Sequence, residues 1–298
     1  MNPPRIAETP GVMRTTGWAD YALLDSGGGR KLERYGPYRV VRPEPQAMWT
    51  PRLPPADWEA ADAVFDPTDE DEAGNWRFRE RLQESWQLGW GEVKFHGRFT
   101  AFRHLAFFPE QAANWAWLDG QVRAAGGQPR VLNLFGYTGV ASLVMASAGA
   151  AVTHVDASKK AVGWARENAE LSGLADRPIR WITEDARKYV QREVRRGSQY
   201  EGIILDPPKY GRGPTGEVWR LFEDLPELAE LCAQLLSGNS SFLVLNAYAE
   251  RISGAALAGL LADKLGSRGG GIEWGELALA EDTGDRAIGM SFYARWAP

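Results

Sequence analysis

Little in this chain can be oxidised or can grip a metal. One cysteine, Cys232, stands among 298 residues, and the three histidines, His96, His104 and His154, are scattered along it. A lone thiol closes no internal disulfide and offers no second thiolate to zinc, and histidines without short spacing make no metal motif. Neither a disulfide-stapled fold nor a metal site is expected. Long hydrophobic runs are also missing: no stretch approaches the roughly 18 uninterrupted apolar residues of a membrane helix. The opening Met1-Asn2-Pro3-Pro4-Arg5-Ile6-Ala7-Glu8 lacks the apolar middle of a secretory signal. The expectation is a soluble cytoplasmic protein with no membrane partner. Positive charge is in deficit, since the net charge is -5, which argues against coating nucleic acid by bulk attraction. The chain contains no internal repeat and no low-complexity tract.

What is present is organised in two parts. Up to about Gln111 the sequence is rich in turns and in short alternating runs: Ala22-Leu23-Leu24-Asp25, Arg30 to Arg34 and Arg39 to Arg42 predict hairpin strands. Trp86 to Phe95 and Arg98 to Phe107 predict a second pair, turning at His96-Gly97. Between Arg30 and Arg52 six basic residues (Arg30, Lys31, Arg34, Arg39, Arg42, Arg52) outnumber two acidic ones (Glu33, Glu44). They read either as a phosphate-holding patch or as solvated strand faces. The acidic run Asp66-Pro67-Thr68-Asp69-Glu70-Asp71-Glu72 predicts a surface loop, because clustered like charges resist burial. Trp18, Trp49, Trp58, Trp76, Trp86 and Trp90 all fall in this part and are expected mainly to pack a small core.

From Ala112 strands and helices alternate, the signature of a parallel sheet covered on both faces. Strands are predicted at Arg130 to Leu134, Ala151 to Val155, Ile179 to Thr183, Gly202 to Leu205 and Ser241 to Leu245, with a closing pair near Ile272 to Leu279 and Ile288 to Trp296. Helices are predicted near Val140 to Ser147, Lys159 to Ser172, Ala186 to Arg195, Val218 to Leu236 and Gly254 to Leu265. Three of these strand ends carry chemistry. The first breaks into Phe135-Gly136-Tyr137-Thr138-Gly139, where Gly136 permits a sharp turn and Gly139 removes a side chain from the helix start, so backbone amides can face a charged ligand. The second ends on Asp156, placed to accept hydrogen bonds from ribose hydroxyls, followed by Ala157 and by Ser158 as a helix cap. The fourth ends on Asp206-Pro207-Pro208-Lys209-Tyr210. A dinucleotide enzyme would carry G-x-G-x-x-G at the first turn, where this chain has Gly-Tyr-Thr-Gly.

The pattern resembles the class I S-adenosylmethionine-dependent methyltransferases, in particular the 23S ribosomal RNA branch with an Asp-Pro-Pro-Lys-aromatic motif. The resemblance implies an α/β fold: a Rossmann-like seven-stranded sheet with helices on both faces over 112–298, preceded by a small β-rich domain over 1–111 that helps to grip substrate. It implies S-adenosylmethionine as cofactor, held by Phe135, Gly136, Tyr137, Thr138 and Gly139, by Asp156, Ala157 and Ser158, and by Asp185 and Ala186 at the adenine. Asp206 also belongs to that set, and Gln111, in Phe107-Phe108-Pro109-Glu110-Gln111, resembles a pre-domain loop that covers the cofactor. Asp206, Pro207, Pro208, Lys209 and Tyr210 become the catalytic segment, with RNA, ribosomal RNA above all, as partner. The relatives that methylate a pyrimidine carbon use a cysteine where this chain has Asn246-Ala247-Tyr248, so transfer to a base nitrogen is expected. Gly211-Arg212-Gly213-Pro214-Thr215-Gly216 reads as a flexible loop beside the site. A methyltransferase of protein or of a small molecule, and a non-catalytic nucleotide-binding scaffold, remain as alternatives.

Overall fold

A computed structural model describes residues 2–68, 73–238, 241–248 and 251–298. Contacts divide the chain into two units, one made of 1–13, 114–277 and 290–298, the other of 14–113 and 278–289. A single cut after 111 describes neither fully, because both termini belong with the central segment and 278–289 belongs with the N-terminal one.

Two short strands, β1 (Arg5–Ile6) and β2 (Gly11–Thr15), come first in the chain and pair on the large sheet described below. The smaller unit then follows with β3 (Tyr21–Gly27), β4 (Arg30–Tyr35), β5 (Tyr38–Pro43), α1 (Pro55–Glu59), β6 (Ala63–Pro67) and β7 (Gly74–Phe78). Its five strands pair in chain order, antiparallel except for the parallel step from β5 to β6. A separate hairpin, β8 (Ser85–Trp90) and β9 (Val93–Arg98), turns at Gly91-Glu92 and not at His96-Gly97. Gly91 has the left-handed φ of 55° that a tight hairpin turn requires. Gly97 lies inside β9 opposite Trp86, and a Cβ there would come within 2.7 Å of the indole. Its glycine makes room for a ring, and a glycine that makes room looks like a glycine that turns. Trp86 in turn meets Tyr38 edge-on at 4.9 Å, and the aromatic residues of this unit do pack its interior, Trp58 and Trp86 being buried.

The basic segment divides: Arg30, Arg39 and Arg52 are exposed, as solvated faces would be, and its other basic residues are not. Lys31 and Arg42 are buried, Lys31 paired to Glu44 at 3.2 Å and Arg42 holding Glu33 through two bonds of 2.7 Å. The hydroxyls of Tyr21 and Tyr35 donate to the same Glu33 carboxylate at 2.9 and 3.0 Å. Burial alone would raise the Glu33 carboxyl, but the charges of Arg42 and Lys31 outweigh it and hold the group below its ordinary value. Arg34 donates to the Ala19 carbonyl, Arg52 pairs with Asp285, and Arg30 lies over Trp58. Of the acidic run, Asp66 and Pro67 end β6, with Asp66 paired to Arg77, while Asp69 to Glu72 lie outside the described residues.

The larger unit contains α2 (Ala112–Ala125), β10 (Arg130–Leu134), α3 (Val140–Ser147), β11 (Ala151–Asp156), α4 (Lys159–Leu171), β12 (Ile179–Thr183), α5 (Ala186–Arg195) and β13 (Gly202–Leu205). After these come β14 (Tyr210–Arg212), β15 (Val218–Arg220), α6 (Leu221–Leu235), β16 (Phe242–Ala247), α7 (Gly254–Leu265), β17 (Gly271–Ala280) and β18 (Ala287–Ala297). The sheet runs β12-β11-β10-β13-β16-β18-β17, the first five strands parallel and β18 antiparallel to β16, which is the seven-stranded methyltransferase order. β1 and β2 extend it beyond β17.

Side-chain alternation divides the core between the two faces. Leu132, Leu134, Ile203, Leu205, Leu243 and Leu245 pack with α5, α6 and α7, while Val131, Ile204, Val244 and Val152 pack with α2 and α3. The strands are buried on both faces, which is why they read as continuous apolar runs. No helix among the described residues is long and apolar enough to cross a membrane.

Arg42→Met removes the hydrogen-bonded cation from a buried carboxylate and leaves two tyrosine hydroxyls and the charge of Lys31 to compensate it. The expected cost is about 3 to 5 kcal/mol, read as a lower midpoint in urea denaturation; a midpoint equal to that of the parent chain would refute the pairing.

Candidate active site

Parallel strands direct all their carboxyl ends to one edge of a sheet, where open α/β folds bind ligands. At that edge the turn after β10 is unusually constrained. Phe135 and Tyr137, neither of them glycine, have φ of 58° and 48°, a left-handed conformation costing about 1 to 2 kcal/mol per residue. Several contacts hold it, among them the Gly136 amide donating to the Val155 carbonyl at 3.1 Å. The Tyr137 amide donates to Asp156 Oδ2 at 2.9 Å, and the Phe135 ring packs on Trp219 at 4.9 Å. Gly136 itself is required by space: a Cβ would lie 2.5 Å from the buried His154 ring. Beneath it Asn133, Ser142 and His154 form a buried chain, the Asn133 amide donating to Ser142 Oγ at 2.9 Å, with His154 Nδ1 3.0 Å from that oxygen. Burial lowers the His154 pKa to about 3, so the imidazole is neutral.

Gly139 is the N-cap of α3, with φ of 83° and no side-chain cap, and a Cβ on it would lie 2.8 Å from Ala165 on α4. The first-turn amides of α3 therefore point into the site without an acceptor from their own helix. The Thr138 carbonyl is fixed by Asn168, which donates to it at 2.9 Å. Asp156 takes the Ser158 amide on its other oxygen at 2.8 Å, and burial pushes its carboxyl above the ordinary value against the pull of these two amides. Ser158 caps α4 through the Ala161 amide, and Ala157 lies between these two polar side chains. One strand further, Asp185 caps α5 by accepting from Lys188 at 3.0 Å, with Ala186 opening the helix. Its neighbour Glu184 is clamped by Arg192 at 2.6 and 2.5 Å.

On the other side of β10, Asp206 follows β13. Pro207 is buried, and Pro208, Lys209 and Tyr210 are exposed. The Pro208 carbonyl accepts from Trp219 Nε1 at 2.8 Å, which makes Trp219 an anchor of the loop and not a surface ring. This explains why the helix predicted from Val218 starts only at Leu221: Val218 to Arg220 form β15, pairing with β14, and Asp224 caps the Arg220 amide at 2.6 Å. The segment Gly211 to Gly216 is thus part of a hairpin and not a free loop, tied to α5 by the Lys188–Glu217 ion pair.

The larger unit thus gathers Phe135 to Gly139, Asp156 to Ser158, Asp185, Ala186 and Asp206 to Tyr210 along one sheet edge. Gln111 belongs to the smaller unit, where it is buried on the 3-10 turn Pro109–Gln111.

A crystal structure of the SAM-dependent methyltransferase from Agrobacterium tumefaciens is 50% identical to this chain, covers 100% of it and 96% of its own length, and has a TM-score of 0.96. The chain belongs to the class I S-adenosylmethionine-dependent methyltransferases. A family model described as "Conserved hypothetical protein 95" matches residues 111–231. The ribosomal RNA large subunit methyltransferase K/L of Shewanella frigidimarina is 35% identical over 118 residues, 39% of this chain and 16% of that protein. The ribosomal RNA large subunit methyltransferase I of Aeromonas salmonicida is 40% identical over 82 residues, 27% of this chain and 21% of that protein. The match spans about a fifth or less of these two relatives.

Asn114, Asn133 and Ser142 of this methyltransferase, which pattern alone did not single out, make buried polar contacts near this edge. Asn114 of α2 donates to Asn246 Oδ1 at 2.8 Å, both side chains being buried at the end of β16. Asn133 and Ser142 support the turn from below. The only signal in the sequence was an amide or hydroxyl in an otherwise apolar stretch. Cys232 is wholly buried in α6, where burial pushes its thiol up.

Gly136→Ala forces a methyl group against the His154 ring. The methyltransferase variant is expected to lose about 1 to 3 kcal/mol of stability, and His154→Ser in the same chain is expected to return part of that loss. Additive losses in the double-mutant cycle would show that the ring is not what the glycine accommodates.

Proposed function

We propose that this protein transfers a methyl group from S-adenosylmethionine to a base nitrogen of RNA, ribosomal RNA being the substrate favoured by its partial relatives. Its cofactor is S-adenosylmethionine, which when bound supplies an electrophilic methyl group on a positively charged sulfur. The residues present suit that molecule. The α3 amides suit its carboxylate. Asp156 has oxygen lone pairs beyond the two amides it already accepts, suited to ribose hydroxyls, and charge-assisted bonds of this kind are the strong ones. Asp185 is the carboxylate available for the adenine amine, because Glu184 is committed to Arg192.

For the transfer, Asp206 accepts one proton of an exocyclic amine and the Pro207 carbonyl accepts the other, which aims the nitrogen lone pair at the methyl carbon. The two proline rings fix the φ angles that direct that carbonyl, and the Pro208 carbonyl is held back by Trp219. With the cofactor bound, the aimed nitrogen would take its methyl group, the electron pair of the C–S bond would stay with the cofactor, and the amine proton would leave through Asp206 to water. Lys209 and Tyr210, both exposed, are assigned to the RNA. Cytoplasmic action accords with the lone buried thiol.

The single observation that carries the nitrogen assignment is the position of Cys232. Methylation of a pyrimidine carbon needs a thiolate to add to the ring, and the one thiol of the chain is wholly buried in a helix. Cys232→Ala is expected to leave the methylation rate within about twofold, and the methylated nucleoside, identified by mass spectrometry of digested RNA, is expected to carry the methyl group on nitrogen. A carbon-methylated product would end this reading.

Asp156→Asn should weaken cofactor binding by the loss of charge-assisted bonds, about 1.5 to 3 kcal/mol each, measured by calorimetry. Asp206→Asn should leave that affinity near the parent value and lower turnover. The RNA assignment is tested by transfer of radiolabelled methyl groups into RNA or protein from cells lacking the enzyme; label entering protein alone overturns it.

A further inference from the structure

The opposite edge of the large sheet, where the parallel strands begin, has a cavity of about 240 Å3 bordered by Arg130, Arg177 and Arg180. Strand register builds it. Arg130 pairs with Ala151, Thr153 pairs with Arg180, and Ala151 and Thr153 lie two residues apart, so all four side chains share one face. Two long basic side chains thereby flank two small ones, which leaves a notch. Arg177 closes it from the turn before β12, held there by its amide bond to the Leu174 carbonyl at 3.0 Å.

All three arginines are exposed. The Arg130 guanidinium lies over the Tyr200 ring at 5.0 Å, which orients it, and the Glu201 carboxylate accepts the Arg130 backbone amide at 2.7 Å. Among the described residues the side chains of Arg177 and Arg180 make no hydrogen bond and no ion pair, the adjacent Asp176 included. In a chain of net charge -5 such a grouping does not follow from an excess of basic residues. Like charges around one concavity repel unless an anion lies among them, and guanidinium forks match phosphate oxygens two by two.

We propose that this notch is a phosphate-binding subsite and that it takes a backbone phosphate of the RNA substrate. The RNA part rests on the function proposed above; the phosphate chemistry does not. The five residue steps of β11 from Ala151 to Asp156 put the notch about 17 Å from the ribose-facing carboxylate, within the reach of a few nucleotides.

The test compares the full chain with Arg177→Ala/Arg180→Ala in two titrations, one with a ribosomal RNA fragment over a range of salt, the other with inorganic phosphate followed through arginine side-chain NMR signals. The double variant is expected to bind RNA more weakly, with a slope of log affinity against log salt smaller by about two, at unchanged S-adenosylmethionine affinity. Arg177→Lys/Arg180→Lys is expected to retain most of that slope. Inorganic phosphate shifting the notch signals while both chains bind RNA equally would keep the phosphate site and overturn its RNA occupant. Equal RNA binding and salt slope in both chains, with no phosphate response, would overturn the subsite. A parent chain that binds no RNA would refute the RNA reading, and the phosphate titration alone would then decide the notch.

Discussion

The carboxylate of Asp156 ties the reaction edge together. One oxygen receives the Tyr137 amide from the turn after β10 and the other receives the Ser158 amide at the start of α4. This first bond, with the Gly136 amide donating to the Val155 carbonyl at 3.1 Å, opposes relaxation of two left-handed non-glycine residues toward ordinary φ. Such conformations persist only where the surroundings over-determine them, and here the turn has a carboxylate on one side, the Trp219 ring on the other and a buried imidazole beneath. The same carboxylate is partly desolvated, so it gains from every further donor it meets. A ligand bearing two hydroxyls would be such a donor, and meeting it is the part the proposed function gives this carboxylate.

Much of this was legible in the order of residue types. Apolar runs of four to six residues ending in glycine or aspartate, alternating with helical stretches, read as strands of a sheet covered on both faces, and the helix cap at Ser158 followed from its residue type; the closing pair came with the resemblance to the methyltransferases. Partnership was less visible. Gly97 and Gly91 are the same letter, yet one accommodates Trp86 and the other turns the chain; only the register of β8 on β9 separates them. Val218 to Arg220 carry apolar content that suits a helix, and the bond from Trp219 to the Pro208 carbonyl makes them a strand. The Asn114–Asn246 bond joins residues 132 apart, and no local pattern announces a pair of that separation.

The basic segment of the smaller unit shows the same limit from another direction. Counting charges between Arg30 and Arg52 suggests a surface, because lysine and arginine are seldom buried unless paired. Alternation along β4 and β5 puts Lys31, Glu33 and Arg42 inside, and each meets its opposite charge. Pairs of this kind are weak evidence for net stability, since desolvation offsets most of the attraction, but breaking one is costly. Glu33, with Arg42, Tyr21 and Tyr35 all directed at one carboxylate, ties the register: a slip of one residue would turn Glu33 to the other face of the sheet, away from these partners.

The two edges of the large sheet divide the electrostatic work. The carboxyl ends of the strands collect acids, Asp156, Asp185 and Asp206, each of which stabilises a positive or proton-donating group and repels phosphate. An RNA backbone brought to that edge without compensation would meet a negative wall on a protein already negative overall. If RNA binds as proposed, the arginines at the strand beginnings, with Lys209 and Arg212, would supply the compensation where phosphates pass and leave the acids to the base and the cofactor. The deficit of positive charge therefore bears on where nucleic acid can touch this fold, and not on whether it can.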